Sequence, residues 1–146
     1  MKKLSKSYLW FQIVFTLLSL NFLIPGLSYT FSPELAMQQL QKVNTLLGGQ
    51  TVLPTSTDEF FWRYLGTANV MALAFMCLLL QFNLRRFYVV LWPLCFLKGY
   101  AAMLWLAGYI AHPQYPVFLG AFILDALSVV LFHTFAGRAH RLLQSS

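Results

Sequence analysis

Residues 87–136 read FYVVLWPLCFLKGYAAMLWLAGYIAHPQYPVFLGAFILDALSVVLFHTFA. Two apolar runs, 87–111 and 117–136, flank the polar turn 112–116, and deep inside each run lies one formal charge, Lys98 in the first and Asp125 in the second. A helix rising 1.5 Å per residue needs about 20 residues to cross about 30 Å of hydrocarbon, and both runs meet that length. A charge at the centre of a bilayer costs at least ~2.5–3.5 kcal/mol, so one kept there marks a partner or a site. Opposite charges in successive helices predict two helices packed with Lys98 facing Asp125.

Two more apolar runs lie upstream, at 8–27 and 60–83. The whole chain has 146 residues, of which 59% are hydrophobic and 10% charged. Soluble domains carry roughly 45–50% apolar and about 25% charged residues, so this chain lacks the polar residues to cover a water-facing surface. Lipid must be its solvent. In lipid each backbone amide needs a partner within its own segment, which makes the four runs helices. The expected architecture is an all-α membrane protein, a single domain over 1–146. It is an antiparallel four-helix transmembrane bundle with one short amphipathic extracytoplasmic helix.

The net charge of +6 is carried mostly by flanks of these runs. Lys2, Lys3 and Lys6 precede the first, Arg85 and Arg86 join the second to the third, and Arg138 and Arg141 follow the fourth. The opposite loops hold one basic residue, Lys42. Basic residues on one side set orientation, so both termini and the Arg85–Arg86 turn are expected in the cytoplasm, in a bacterial inner membrane. Trp10, Trp62, Tyr64, Tyr109 and Tyr115 fall near segment ends, where amphipathic rings settle at headgroups. Basic residues placed this way serve topology, and nucleic acid is not an expected partner. A basic start, an apolar stretch, Gly26 and Ser28 also resemble a secretory signal. The length of the run, Asn21 and the break expected at Pro25 favour a retained first span.

Loop 28–59 is the largest part outside the membrane. Ser32-Pro33-Glu34 reads as a helix start, with an N-cap serine, proline at the first helical position and an acid in the positive first turn. Ala36, Leu40, Val43 and Leu47 recur at helical spacing while Gln38, Gln39, Gln41 and Asn44 are polar, which predicts an amphipathic helix over 33–47. Gly48-Gly49 ends it, since glycine takes a left-handed cap without strain. Pro54 and the Thr/Ser-rich residues 51–57 form an irregular linker.

Counting inward from the basic flanks places each intramembrane polar residue in depth. Lys98 is about 18 Å past Arg86, Asp125 about 20 Å from Arg138, Asn21 about 22 Å past Lys6 and Asn69 about 24 Å from Arg85. Four helices each bring one polar side chain within a band of about 6 Å. The expected site is therefore a buried polar cluster of Lys98, Asp125, Asn21 and Asn69. Arg63, four residues after Glu59, is a candidate headgroup contact at the outer side.

Chemistry beyond this level is sparse. His112 belongs to an outer loop, while His133 and His140 lie toward the cytoplasmic side, so no histidine pair spans the helices for haem. His133 is expected inside the bundle. Cys77 and Cys95 share a depth without a C-x-x-C pattern and read as apolar fillers. No level offers a metal ligand set, and Asp125 is the one intramembrane acid, short of the pair of roles that hydrolysis or transfer needs. No catalytic residue, metal or cofactor is expected. The expected role is that of a non-enzymatic accessory or assembly subunit, partnered by the lipid bilayer and by another membrane protein or its own copies. The alternative is a module that binds or transports a lipid or small amphiphile at Lys98–Asp125.

Overall fold

The computed structural model describes residues 6–50 and 59–145, with the side chains of the third helix from Gly66 onward. Among the described residues all regular structure is helical: α1 (Lys6–Phe31), α2 (Pro33–Leu46), α3 (Glu59–Phe82), α4 (Leu84–Phe87), α5 (Leu91–Ala111) and α6 (Val117–Gln144). α4 is a single turn, continued into α5 by a 3₁₀ turn at Tyr88–Val90. Three stretches, Lys6–Phe31, Leu84–Ala111 and Val117–Gln144, are long and apolar enough to cross a membrane, and Gly66–Phe82 is a shorter apolar helix beside them.

α1 packs along α3 and α5 along α6, and contact between α1 and α6 joins the two pairs. α3 and α5 meet at few points. Phe11, Phe15, Leu18 and Phe22 recur on one face of α1 and are buried, as helical spacing dictates. Phe132 of α6 meets this face, its ring 5.6 Å from Phe15 and 6.2 Å from Phe22, within the usual range for aromatic pairs. Leu73, Cys77 and Leu80 of α3 and Leu91 and Leu94 of α5 complete the core. Gly26 faces Met71 of α3, whose flexible thioether would have to shift for a Cβ there, at 2.8 Å from Sδ. The outward faces, with Leu17, Ile24, Phe75, Trp92, Met103 and Val130, stay apolar and suit hydrocarbon.

Several boundaries differ from expectation. α1 does not break at Pro25 but runs through it to Phe31, and only Ser32 separates it from α2. Proline removes one hydrogen bond from a helix interior, here the amide that would reach the Asn21 carbonyl, without ending the helix. Ser32 is the N-cap of α2 with Pro33 at the first position, but its hydroxyl makes no capping bond. α2 closes as its glycines predict, with Gly48 at φ 82°. Asn83 caps α4 by accepting the Arg86 amide at 3.1 Å. α6 extends past Ala136 to Gln144. The linker 51–57 lies outside the described residues.

Candidate functional site

The structure brings Lys98 and Asp125 together. The Lys98 Nζ donates to Asp125 Oδ1 at 2.5 Å, each side chain 12% exposed. Lys98 lies on the face of α5 that carries Leu91, Leu94 and Ala102, all buried, and Asp125 shares its face of α6 with buried Ser128 and Phe132. Helical spacing therefore carries both charges inward. The ammonium also sits 4.6 Å above the Phe22 ring of α1, a cation–π contact that draws the first helix into the site. One turn along, the Ser128 hydroxyl is occupied by the Leu124 carbonyl at 2.8 Å. The pair thus couples α5 and α6 directly and α1 through its aromatic face.

The other two expected members lie apart. Asn21 and Asn69 are exposed, and neither makes a hydrogen bond among the described residues. The four-member cluster reduces to an ion pair. Equal depth put these residues at one level, but depth says nothing of rotation about each helix axis. On α1 the buried stripe is Phe11, Phe15, Leu18, Phe22 and Gly26, and Asn21 stands about a third of a turn from it. His133, expected inside, is likewise exposed on α6. The Arg63 side chain lies outside the described residues.

Two polar arrangements escaped the sequence reading. The first joins α1 and α3. Gln81 accepts from Thr16 Oγ1 at 2.9 Å and donates to Ser19 Oγ at 3.0 Å, while Gln12 Nε2 reaches the Gln81 carbonyl at 3.2 Å and Tyr8 Oη at 3.1 Å. The second is Asn44, which the amphipathic pattern assigned to the wet face of α2 and which is completely buried. Its Nδ2 donates to the Gln50 carbonyl at 2.7 Å, and its Oδ1 accepts from the Val117 amide at 3.2 Å, one of the free donors at the start of α6. Gly49 is needed beside it, since a Cβ would fall 2.6 Å from the Asn44 amide. The Gln50 amide donates to the Gln114 carbonyl at 3.2 Å. Asn44 and Gln50 thereby latch α2 and its loop onto the α5–α6 connection. The signal in the sequence was asparagine five residues before Gly49, at a helix end where a side-chain amide can serve two chain segments.

Under this latch lies an apolar groove of about 370 Å³ between α1, α2 and α6, walled by Ile24, Pro25, Leu40, Val43, Gly120 and Leu124 among others. Neither Lys98 nor Asp125 lines it. A cavity floored by the ion pair, the basis of the amphiphile alternative, is not what this groove provides. Cys77 is fully buried in the core and Cys95 packs against it, both as free thiols. Among the described residues no three His, Cys, Asp or Glu side chains converge as a metal set.

No family model, curated protein or solved structure matches this chain.

Proposed function

We propose that the protein is a non-enzymatic accessory or assembly subunit, a four-span antiparallel bundle that packs against membrane-protein partners or its own copies. In this reading it sits in a bacterial inner membrane with both termini and the Arg85–Arg86 turn in the cytoplasm, the side that basic flanks favour. The observation that carries the proposal is Asn21. Its amide is exposed in the middle of the apolar helix Lys6–Phe31, and Pro25 supplies no amide hydrogen to its carbonyl. A side-chain amide without a hydrogen bond among the described residues, and a carbonyl that lacks its usual helical donor, are costly in hydrocarbon, and intramembrane polar groups nearly always face protein or a water-filled cavity. A neighbouring helix that donates to and accepts from Asn21 resolves both. Asn69, exposed on α3, and His133, exposed on α6, pose the same demand on other faces, which suits contact with more than one neighbour.

In this reading Lys98–Asp125 is the internal fastener that holds the bundle in shape for docking. Polar contacts between membrane helices contribute ~0.6 kcal/mol each on average, enough to choose a partner when several act together. The test is purification from native membranes in mild detergent, with co-purifying chains identified and the mass of the intact particle measured. A stable complex or a defined oligomer is expected, weakened by Asn21→Leu. A strictly solitary monomer with a turnover of its own would end this proposal.

A further inference from the structure

The basic residues around the Arg85–Arg86 turn and the end of α6 share one end of the molecule and have a use beyond setting topology. Leu84 of α4 is buried in one cluster with Ala136 and Ala139 of α6, which seats the Arg85–Arg86 turn against the end of α6. Tyr88, just after that turn, stacks on His140 with ring centroids 3.8 Å apart and planes 9° from parallel. Gly137 lies beside the Tyr88 hydroxyl, where a Cβ would meet it at an ordinary 3.8 Å contact. Arg138 and Arg141, three residues apart on α6, are exposed, as are Arg85 and Arg86. Arg141 Nε donates within its own helix to the Gly137 carbonyl at 3.4 Å, which holds that side chain beside the stack. The His140 Nδ1 is buried and has no hydrogen-bond partner.

Among the described residues no acid pairs with these arginines. The chain has four acidic residues, Glu34, Asp58, Glu59 and Asp125. The first three precede or begin α3, the far end of that helix from the Arg85–Arg86 turn, and Asp125 is already paired with Lys98 about 20 Å from Arg138 at helical rise. Four exposed arginines therefore lie at one end of the packed helices, with no ion pair among the described residues, where helices Leu84–Ala111 and Val117–Gln144 would leave the hydrocarbon. Guanidinium groups match phosphate oxygens in geometry as well as charge, and basic clusters beside a membrane helix attract anionic lipids.

We propose that this surface binds the phosphate of an anionic phospholipid. The Tyr88–His140 stack sets the spacing between the two arginine pairs, and the arginines supply the donors. The proposal needs these helices to cross the bilayer, and holds whichever way they cross and whatever partner the protein has.

The full chain, purified in mild detergent with an equimolar mixture of phosphatidylglycerol and phosphatidylcholine, is examined by native mass spectrometry for retained lipid. Phosphatidylglycerol is expected to be retained in preference, at low stoichiometry and less strongly as salt rises. Arg138→Gln and Arg141→Gln should each lower the preference about fivefold, the ratio equivalent to the ~1 kcal/mol that one basic residue contributes near an anionic surface. Lys42→Gln, at the opposite end, should leave it unchanged. Tyr88→Leu removes no charge yet should weaken retention by separating the arginine pairs. Equal retention of the two lipids by the wild-type chain overturns the proposal without reference to any variant. So does a preference that persists undiminished in a folded Arg138→Gln/Arg141→Gln double variant, or in a folded Tyr88→Leu variant. Displacement of the lipid by millimolar inorganic phosphate would assign the surface to a free anion and also end it.

Discussion

The two tightly packed helix pairs are fastened by different chemistry. Between α5 and α6 the fastener is an ion pair, Lys98–Asp125, nearly removed from solvent and reaching α1 through the Phe22 ring. Between α1 and α3 it is a neutral side-chain amide, Gln81, which bonds Thr16 and Ser19, while Gln12 donates to the Gln81 backbone carbonyl beside it. The difference lies in what each loses when cut. An amide ladder broken at one rung leaves neutral groups that find other partners nearby. An ion pair cut on one side leaves a bare charge in a medium of low dielectric constant. Charge at α5–α6 therefore specifies a single register, while the ladder tolerates adjustment along the seam.

Cutting the ion pair should have the largest effect. Asp125→Asn or Lys98→Met is expected to lower stability by ~3–5 kcal/mol, the cost of stranding a buried charge. Reversible unfolding in mixed micelles measures it, and the Lys98→Met/Asp125→Leu double variant should recover most of the loss. A double variant no better than either single one would remove the contrast between the pairs. Next is Asn44→Leu, which deletes both side-chain hydrogen bonds of Asn44 and leaves the buried Val117 amide unsatisfied, at ~1–3 kcal/mol. Faster amide exchange at Val117 should accompany it. Unchanged exchange there would show that α2 is held by apolar contact alone.

Gln81→Leu should cost less, between ~0.6 kcal/mol and the ~1.7 kcal/mol maximum found for such contacts. A loss as large as that of Asp125→Asn would mean that the neutral ladder is as rigid a fastener as the ion pair. Asn21→Leu should change the stability of the isolated chain by less than about 0.5 kcal/mol, since the side chain is exposed and makes no hydrogen bond among the described residues. Its effect is expected in association, read as a drop in co-purified partner or in particle mass.

Residue by residue, legibility followed from what a linear pattern can carry. Burial of Lys98 and Asp125 was readable because a charge inside an apolar run has few other places to go. Asn21 and Asn69 shared that depth and were misassigned, since depth is a sum of rises and rotation depends on which neighbour packs on which stripe. Asn44 was hidden by the opposite error. Its polarity within an amphipathic repeat pointed to water, while a chain segment seventy-three residues later offered it an amide. Gln81 was passed over because a glutamine near a helix end is ordinary until Thr16 and Ser19 are set against it.

The order of apolar and basic residues alone determined that this chain is helical, carries stretches long and apolar enough to cross a membrane, and turns at Arg85–Arg86 and at Gly48–Gly49. That follows from transfer free energy and backbone hydrogen bonding, which act locally along the chain. Tertiary structure decided which polar groups meet: Lys98 with Asp125, Asn44 with Val117, Gln81 with Ser19, and Asn21 with no hydrogen-bond partner among the described residues. Those choices depend on helix rotation and on contacts between residues far apart in sequence, which arise only once the helices have packed.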